Sequence, residues 1–501
     1  MFRQAASFGR YTPLLNFAQP MKVLFATSEA HPLAKTGGLA DVSGSLPAAL
    51  REIGVDARVL MPGYPAALEK VENLARVFRI KLPEHGETAL LRGTFPDSGV
   101  PVYLIEHAGY YAREGYYQDK TGHDWPDNAM RFGLLSQFAA WLAGPKTPLD
   151  FRPDVLHCND WQTGLGPAYL HFEHKQATPT VFTVHNLAYQ GIFPHDVLKK
   201  LGLPPESFSI DGMEYYGKLS FLKAGLFYAS HITTVSPTYA DEIQTEAFGM
   251  GMQGLLAARS KELTGILNGI DMREWNPASD PHLYATYSAD NLAGKAVNKL
   301  SLQGELGLQC DPKAPLLGMV SRLTQQKGSD VVIEAVPQLL KLGAQFAVLG
   351  GGDARLENAW RKLAAAHPGK IAVKIGYNEG LGHRIEAGAD IFLMPSRFEP
   401  CGLNQMYSQR YGTPPVVHKV GGLADTVTHA SLENLANGKA TGFVLDHLDR
   451  HALVEILRRA MILYRHKLAW QKLMRSGMTR DFGWAKSAHQ YLGVYKKICQ
   501  I

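Results

Sequence analysis

Apolar residues along this chain gather into short unbroken runs, and the stretches between them carry apolar residues at helical spacing. The runs fall at 23–27, 57–61, 102–106, 155–158, 180–184 and 231–235. A second series, beyond residue 269, falls at 316–320, 345–349, 371–375, 391–394 and 415–417. A strand that is apolar on both sides is buried on both faces, as in a parallel sheet covered by helices. The expected fold is therefore α/β, with two Rossmann-like domains whose parallel sheets face a central cleft. Turn formers at Asn268-Gly269-Ile270-Asp271 and Trp275-Asn276-Pro277 put the boundary within 264–276. The division reads as 21–266 and 267–482, followed by a C-terminal segment 483–501. There Trp484, Tyr491 and Tyr495 mark an amphipathic helix over 484–498, expected to pack back toward the first domain.

Residues 1–20 stand outside this pattern. They hold Arg3 and Arg10 and no acid, and they lack the long apolar core of a secretory signal. They read as a disordered extension, with a short targeting peptide as the other reading.

Composition narrows the class. With 501 residues, 46% hydrophobic and 19% charged, the chain is globular in character and long enough for two or three cores. No apolar run reaches the roughly 18 residues of a membrane span. The net charge of +5 comes from dispersed Lys and Arg, so there is no basic tract for nucleic acid. Cys158, Cys310, Cys401 and Cys499 lack Cys-x-x-Cys spacing. That argues against a disulfide framework and a structural metal, and fits a reducing cytoplasm.

In open parallel sheets ligands bind beyond the carboxyl ends of the strands. Those positions hold Lys35-Thr36-Gly37-Gly38, His157 to Asp160 and His185-Asn186 in the first half. In the second they hold Ser321 to Gly328, Gly350 to Asp353, Tyr377, Ser396 to Gly402 and Gly421-Gly422. Cations, glycines, two histidines and a few acids are thus expected to converge on one anion-binding crevice. Arg322 and Lys327 are the sharpest pair, because a forked guanidinium and a point charge together can hold a diphosphate as it leaves. Gly328 lets their loop bend around a ligand. The string Gly-Gly-Leu-Ala-Asp occurs twice, at 37–41 and 421–425. Each copy follows a strand run and precedes a helix, which by itself suggests equivalent phosphate cradles in two similar halves. Gly350-Gly351-Gly352 lacks a full dinucleotide fingerprint and reads equally as a tight turn.

Several long motifs, in order from residue 21 to the final helix, resemble those of bacterial glycogen synthases and plant starch synthases. They are Lys35 to Asp41, Thr234-Val235-Ser236-Pro237-Thr238-Tyr239, Asn268 to Asp271, Ser321-Arg322-Leu323-Thr324 with Gln326-Lys327-Gly328, Pro395-Ser396-Arg397-Phe398-Glu399-Pro400-Cys401-Gly402-Leu403, and 420–427. The resemblance implies a GT-B-type retaining glucosyltransferase. It would move glucose from ADP-glucose to the non-reducing end of an α-1,4-glucan, with no cofactor, no metal, no nucleic acid and no membrane partner. By similarity, Lys35 and the backbone at Gly37 and Gly38 contact the donor from the first domain, and Arg322 and Lys327 bind its phosphates. Glu399 hydrogen-bonds the transferred glucose, the amides of Gly402, Leu403 and Asn404 add phosphate contacts, and Tyr377 stacks on the adenine. His185 lies against the sugar, with Asp160 and Asn268 near the reaction centre. Glu29 and Asp41 help orient donor or acceptor, and Gly422 borders the nucleotide. In this frame the two glycine motifs become unequal, opposing walls of one cleft.

Some alternatives stay open at this level. Asp160 either caps the next helix or acts in catalysis, or does both. His185 is either a satisfied histidine at a strand end or a cleft residue. Cys401 reads as a packed residue of the substrate site rather than a nucleophile, and as a target for thiol reagents. Two positions depart from related patterns: Tyr407 stands where many retaining transferases of this fold have a second Glu, and Gln253 where relatives commonly have an acid. A glucan phosphorylase would need a pyridoxal phosphate lysine, and a dinucleotide dehydrogenase a complete fingerprint. A non-catalytic glucan-binding protein would be expected to lose the cleft charges, and Lys35, Arg322, Lys327 and Glu399 are all present. Because the donor-binding groups are split between the halves, domain closure is expected.

Overall fold

Buried strands build two sheets in the computed structural model, which describes residues 20–175 and 177–500. The extension expected at 1–20 lies, Pro20 apart, outside the described residues. The first sheet has nine strands in the order Leu263–Gly265, His231–Thr234, Thr180–Val184, Val155–Asn159, Lys22–Ala26, Asp56–Pro62, Pro101–Glu106, Gly86–Thr94 and Glu72–Leu82. The first seven are parallel, and the last two add an antiparallel hairpin at the edge. That hairpin corrects the expectation of a wholly parallel sheet. Its outer strand Glu72–Leu82 is mostly exposed and studded with Arg and Lys, a protected edge that offers no unbroken apolar run to find.

The second sheet has six parallel strands in the order Ile371–Ile375, Gln345–Gly350, Leu316–Val320, Ile391–Met394, Pro415–His418 and Phe443–Leu445. The edge strands Leu263–Gly265 and Phe443–Leu445 are three residues each, too short to stand out as runs. Chain order reverses between Leu316–Val320 and Ile391–Met394, and in the first sheet between Lys22–Ala26 and Val155–Asn159. Such switch points open a crevice at the strand ends, and both lie where the chemistry-bearing loops begin.

Helices cover the sheets with apolar stripes. In the helix Ser329–Lys341, Val331, Val332, Ala335, Val336 and Leu339 are buried, one face at three- and four-residue spacing. The last helix, Ala485–Cys499, lies on the first sheet: Tyr491 and Tyr495 are fully buried, and the Tyr495 hydroxyl lies 2.7 Å from His157 Nδ1. Ser487 Oγ donates to the Leu267 carbonyl at 2.5 Å. Between the domains, Ser236 Oγ donates to Pro400 O at 2.7 Å, and Thr238 gives its N–H (3.0 Å) and hydroxyl (2.7 Å) to Asp425. Gly421 N donates to Glu242 Oε1 at 2.9 Å.

Candidate active site

The loop after Leu316–Val320 carries Arg322 and Lys327, and the loop after Ile391–Met394 carries Ser396 and Glu399. The switch point brings the two loops together. Gly328 holds a left-handed φ of 70°, and a Cβ there would sit 2.1 Å from the Pro395 carbonyl oxygen. Only glycine allows the loops to touch so closely. Glu399, 6% exposed, accepts from Lys327 Nζ at 2.5 Å and Ser396 Oγ at 2.9 Å. Both donors act on Oε2, so Oε1 keeps its acceptor capacity. Arg322 is exposed and reaches across the cleft, donating to the Tyr189 hydroxyl at 3.0 Å.

The turn beyond Glu399 is buttressed by the second glycine motif. A Cβ on Gly421 would lie 2.0 Å from the Glu399 carbonyl oxygen, and one on Gly422 2.2 Å from that of Cys401. The Gly422 amide donates to the carbonyls of Glu399 (3.2 Å) and Pro400 (3.1 Å). Gly422 is therefore a buried support behind the turn. The helix Asn404–Arg410 opens just after Gly402 and Leu403 with no side-chain cap, so no side chain there occupies its first amides. Cys401 is buried, and burial pushes its thiol up to about 12, which makes it a poor nucleophile and a poor target for thiol reagents. Asn268 lies at this turn, its backbone beside the Cys401 side chain, and its Oδ1 is buried without a partner.

The first glycine motif is different. Gly37 and Gly38 are exposed, and the helix Gly38–Glu52 starts without a side-chain cap, an open N-terminus suited to anionic oxygens. Lys35 Nζ pairs with Asp41 at 2.7 Å. Burial pulls this ammonium down, but Asp41 outweighs it and holds the pKa above its usual value. The copies are also topologically unlike, since one follows the first strand of its sheet and the other the fifth strand of the second domain in chain order. The equivalence that the repeated string by itself suggests does not hold, and the two copies are unequal, as the family resemblance implied.

At the first sheet's switch point Glu29 and Asp160 are both buried. Glu29 accepts from Thr36 N at 2.5 Å, and burial pushes its carboxyl up to about 7. Asp160, likewise pushed up to about 7 by burial, accepts from the backbone N–H of His185 at 2.7 Å and makes no cap bond to the short helix Trp161–Thr163. The capping reading is thus set aside. Asp160 also holds φ 56°, ψ −178°, a sparsely populated backbone state that persists where surroundings over-determine it. His185 is 9% exposed; its Nε2 lies 2.9 Å from Asn159 Oδ1, while Asn159 Nδ2 donates to Ala26 O. This network puts the ring proton on Nε2 and leaves Nδ1 as an acceptor. Burial lowers the His185 pKa to about 3, so the ring is neutral at working pH.

His157 is not a cleft residue. Its nitrogens are taken by Tyr495 and by Thr183 Oγ1 at 2.6 Å inside the core. Gly350 ends the strand Gln345–Gly350, and Gly351 and Gly352 continue beyond it paired alongside Leu323. Tyr407, in the position of the missing second Glu, stacks on Trp275 with ring centroids 3.5 Å apart. Gln253 opens the short helix Gln253–Ala258, its Oε1 buried without a partner.

The walls meet at several points: Arg322 with Tyr189, the space over Gly38 3.9 Å from Leu403 Cδ1, and Lys35 in the neighbourhood of the 79% exposed Tyr377. Tyr189 carried no motif, and its pairing spans 133 residues of sequence, so only the folded chain reveals it.

Two Rossmann-like domains enclosing a cation-lined cleft define the class as GT-B-type glycosyltransferases. Residues 22–258 match the family model described as starch synthase catalytic domain, and residues 308–473 that of glycosyl transferases group 1. A glycogen synthase of Aromatoleum aromaticum is 57% identical over 481 residues, covering 95% of this chain and 97% of the relative. Another, of Paramagnetospirillum magneticum, is 54% identical over 486 residues, 95% of this chain and 98% of the relative. The solved catalytic domain of starch synthase IV from Arabidopsis thaliana, bound to ADP and acarbose, superposes with TM-score 0.87 at 31% identity, covering 97% of this chain and all of that one. The chain belongs to the glycogen synthase and starch synthase family of hexosyltransferases.

Proposed function

We propose that the chain elongates α-1,4-glucan by transferring glucose from ADP-glucose to the non-reducing end, with retention of configuration. The observation that carries this reading is the meeting of two switch-point loops, with Glu399 gripped by Lys327 and Arg322 beside them, opposite the open helix N-terminus at Gly38 and Lys35.

Breaking the bond between glucose and diphosphate builds negative charge on the leaving group and oxocarbenium character on the sugar. Fixed cations and helix N-termini stabilise the first, at little reorganisation cost in a water-poor cleft. Arg322 and Lys327 take this role, with the amides of Gly402, Leu403 and Asn404 and, across the cleft, Lys35 with the amides at Gly37 and Gly38. Glu399 Oε1 accepts from glucose hydroxyls, and the neutral His185 ring, with Asn268 and Asp160, lines the sugar side. Tyr377 offers its exposed ring to the adenine, while Glu29 and Asp41 hold the Lys35 loop. The acceptor hydroxyl attacks from the face the diphosphate leaves, and a phosphate oxygen takes its proton. No step is assigned to a cofactor or metal, and the partners are the nucleotide sugar and the glucan. No helix among the described residues is long and apolar enough to cross a membrane, and we assign the activity to the cytoplasm. The domains divide at 266/267, with 483–501 returning to the first.

The test is transfer of labelled glucose to glycogen from ADP-glucose and, in parallel, UDP-glucose, with the new linkage read by NMR. Label in α-1,4 linkage from ADP-glucose in clear preference is expected. No transfer, or a β linkage, overturns the reading.

A further inference from the structure

The helix Glu379–Gly388 carries Glu379 and His383 four residues apart, a spacing that sets two side chains on one helix face. Glu274, from the connection between the domains, reaches the same point. One carboxylate oxygen from each Glu and a ring nitrogen of His383 all lie within 4.8 Å of one another. The His383 ring is fixed: Nδ1 pairs with Asp280 Oδ2 at 2.7 Å, and the ring stacks on Trp275 with centroids 4.0 Å apart. Asp280 also accepts from the Tyr411 hydroxyl. Nδ1 thus carries the proton and Nε2 a bare lone pair. His383 is 2% exposed, and its Nε2 is buried without a hydrogen-bond partner.

We propose that Glu274, Glu379 and His383 form a binding site for a borderline divalent cation of the zinc type. Three acceptors converge there, one of them a buried nitrogen with no donor, which is costly unless a cation joins them. One imidazole and two carboxylates are a three-ligand set for zinc, with water completing the tetrahedron. The Asp280–His383 pair supplies the outer carboxylate that orients a ligating imidazole and strengthens its lone pair. Glu379 also lies beside Tyr377, whose hydroxyl one of its oxygens can face while the other ligates. Lys35 lies near Glu274, but its charge is matched by Asp41 at 2.7 Å. An ion here ties the inter-domain connection to the helix after the strand Ile371–Ile375. The site stands independently of the transferase reading.

The test uses the full chain with Cys310 and Cys499, its exposed and half-buried thiols, changed to Ser to remove competing zinc ligands. The chelator-stripped protein is titrated calorimetrically with Zn²⁺. One equivalent is expected to bind, and E274Q, E379Q and D280N should each weaken binding about tenfold or more. Glu274 is exposed and Glu379 opens its helix, so neither of those exchanges empties a core. Absence of saturable binding, or an affinity in E274Q and E379Q equal to the parent's, overturns the proposal.

Discussion

At Glu399 a single carboxylate is buried, and Lys327 and Ser396 are what make that burial tolerable. Lys327→Ala removes both this partner and a proposed phosphate contact. Turnover should fall by about 100-fold or more, and unchanged turnover would remove the leaving-group role from Lys327. Glu29 and Asp160 make a separate prediction through pH. Burial raises both carboxyls to about 7 in the folded chain, from 4.5 and 3.8. The folded state then binds more protons than the unfolded state between about pH 4 and 7. Their contribution is full below pH 4 and is lost as pH rises through 7. E29Q and D160N remove that loss, so each variant should gain on the parent by up to about 3 kcal/mol between pH 5 and pH 8. Thermal unfolding at the two pH values measures it, and a difference independent of pH contradicts it. Asp160 and Glu399 stood out in the sequence because their types and positions after strands are local properties, whereas Glu29 entered only through the family resemblance. Their partners did not: Tyr189 and the Asn159–His185 contact join segments that only folding brings together.

At the scale of elements, the repeated glycine motif gives the sharpest contrast. Both copies open helices, yet Gly37 has open space at its Cβ position, while Gly421 has φ 42° and the Glu399 carbonyl at 2.0 Å. Gly421→Ala should destabilise by about 2 kcal/mol or more and displace the Glu399 turn. Gly37→Ala should leave the unfolding midpoint nearly unchanged. Denaturant titration of the two variants checks the pair, and equal costs would restore the equivalence that the repeat suggests. Strands inside the sheets were legible because burial on both faces demands apolar runs. In the hairpin, Glu72–Leu82 was not, because an edge strand is stabilised by its one paired neighbour and tolerates charge elsewhere, and Gly86–Thr94, though paired on both sides, holds an apolar run of only three residues, Ala89 to Leu91.

Over the whole molecule, the chain returns its last helix to its first domain. Tyr495 and Thr183 satisfy both nitrogens of buried His157, across 338 residues in the case of Tyr495. Tyr495→Phe leaves Nδ1 without a partner and should cost about 1–3 kcal/mol, read as a lower midpoint in chemical denaturation. An unchanged midpoint would show that the contact adds nothing to domain packing. The sequence alone determined that there are two α/β halves, where their buried strands run, and which motifs carry cations and glycines, because each follows from short-range pattern and residue chemistry. Only the tertiary structure decided that the second glycine motif is a buried buttress behind the Glu399 turn, that His157 is a core residue and Asp160 no helix cap, and that Arg322 meets Tyr189 across the cleft. The physical reason is that these outcomes depend on strand order and inter-domain approach, which join residues far apart in the chain and leave no periodic or local trace.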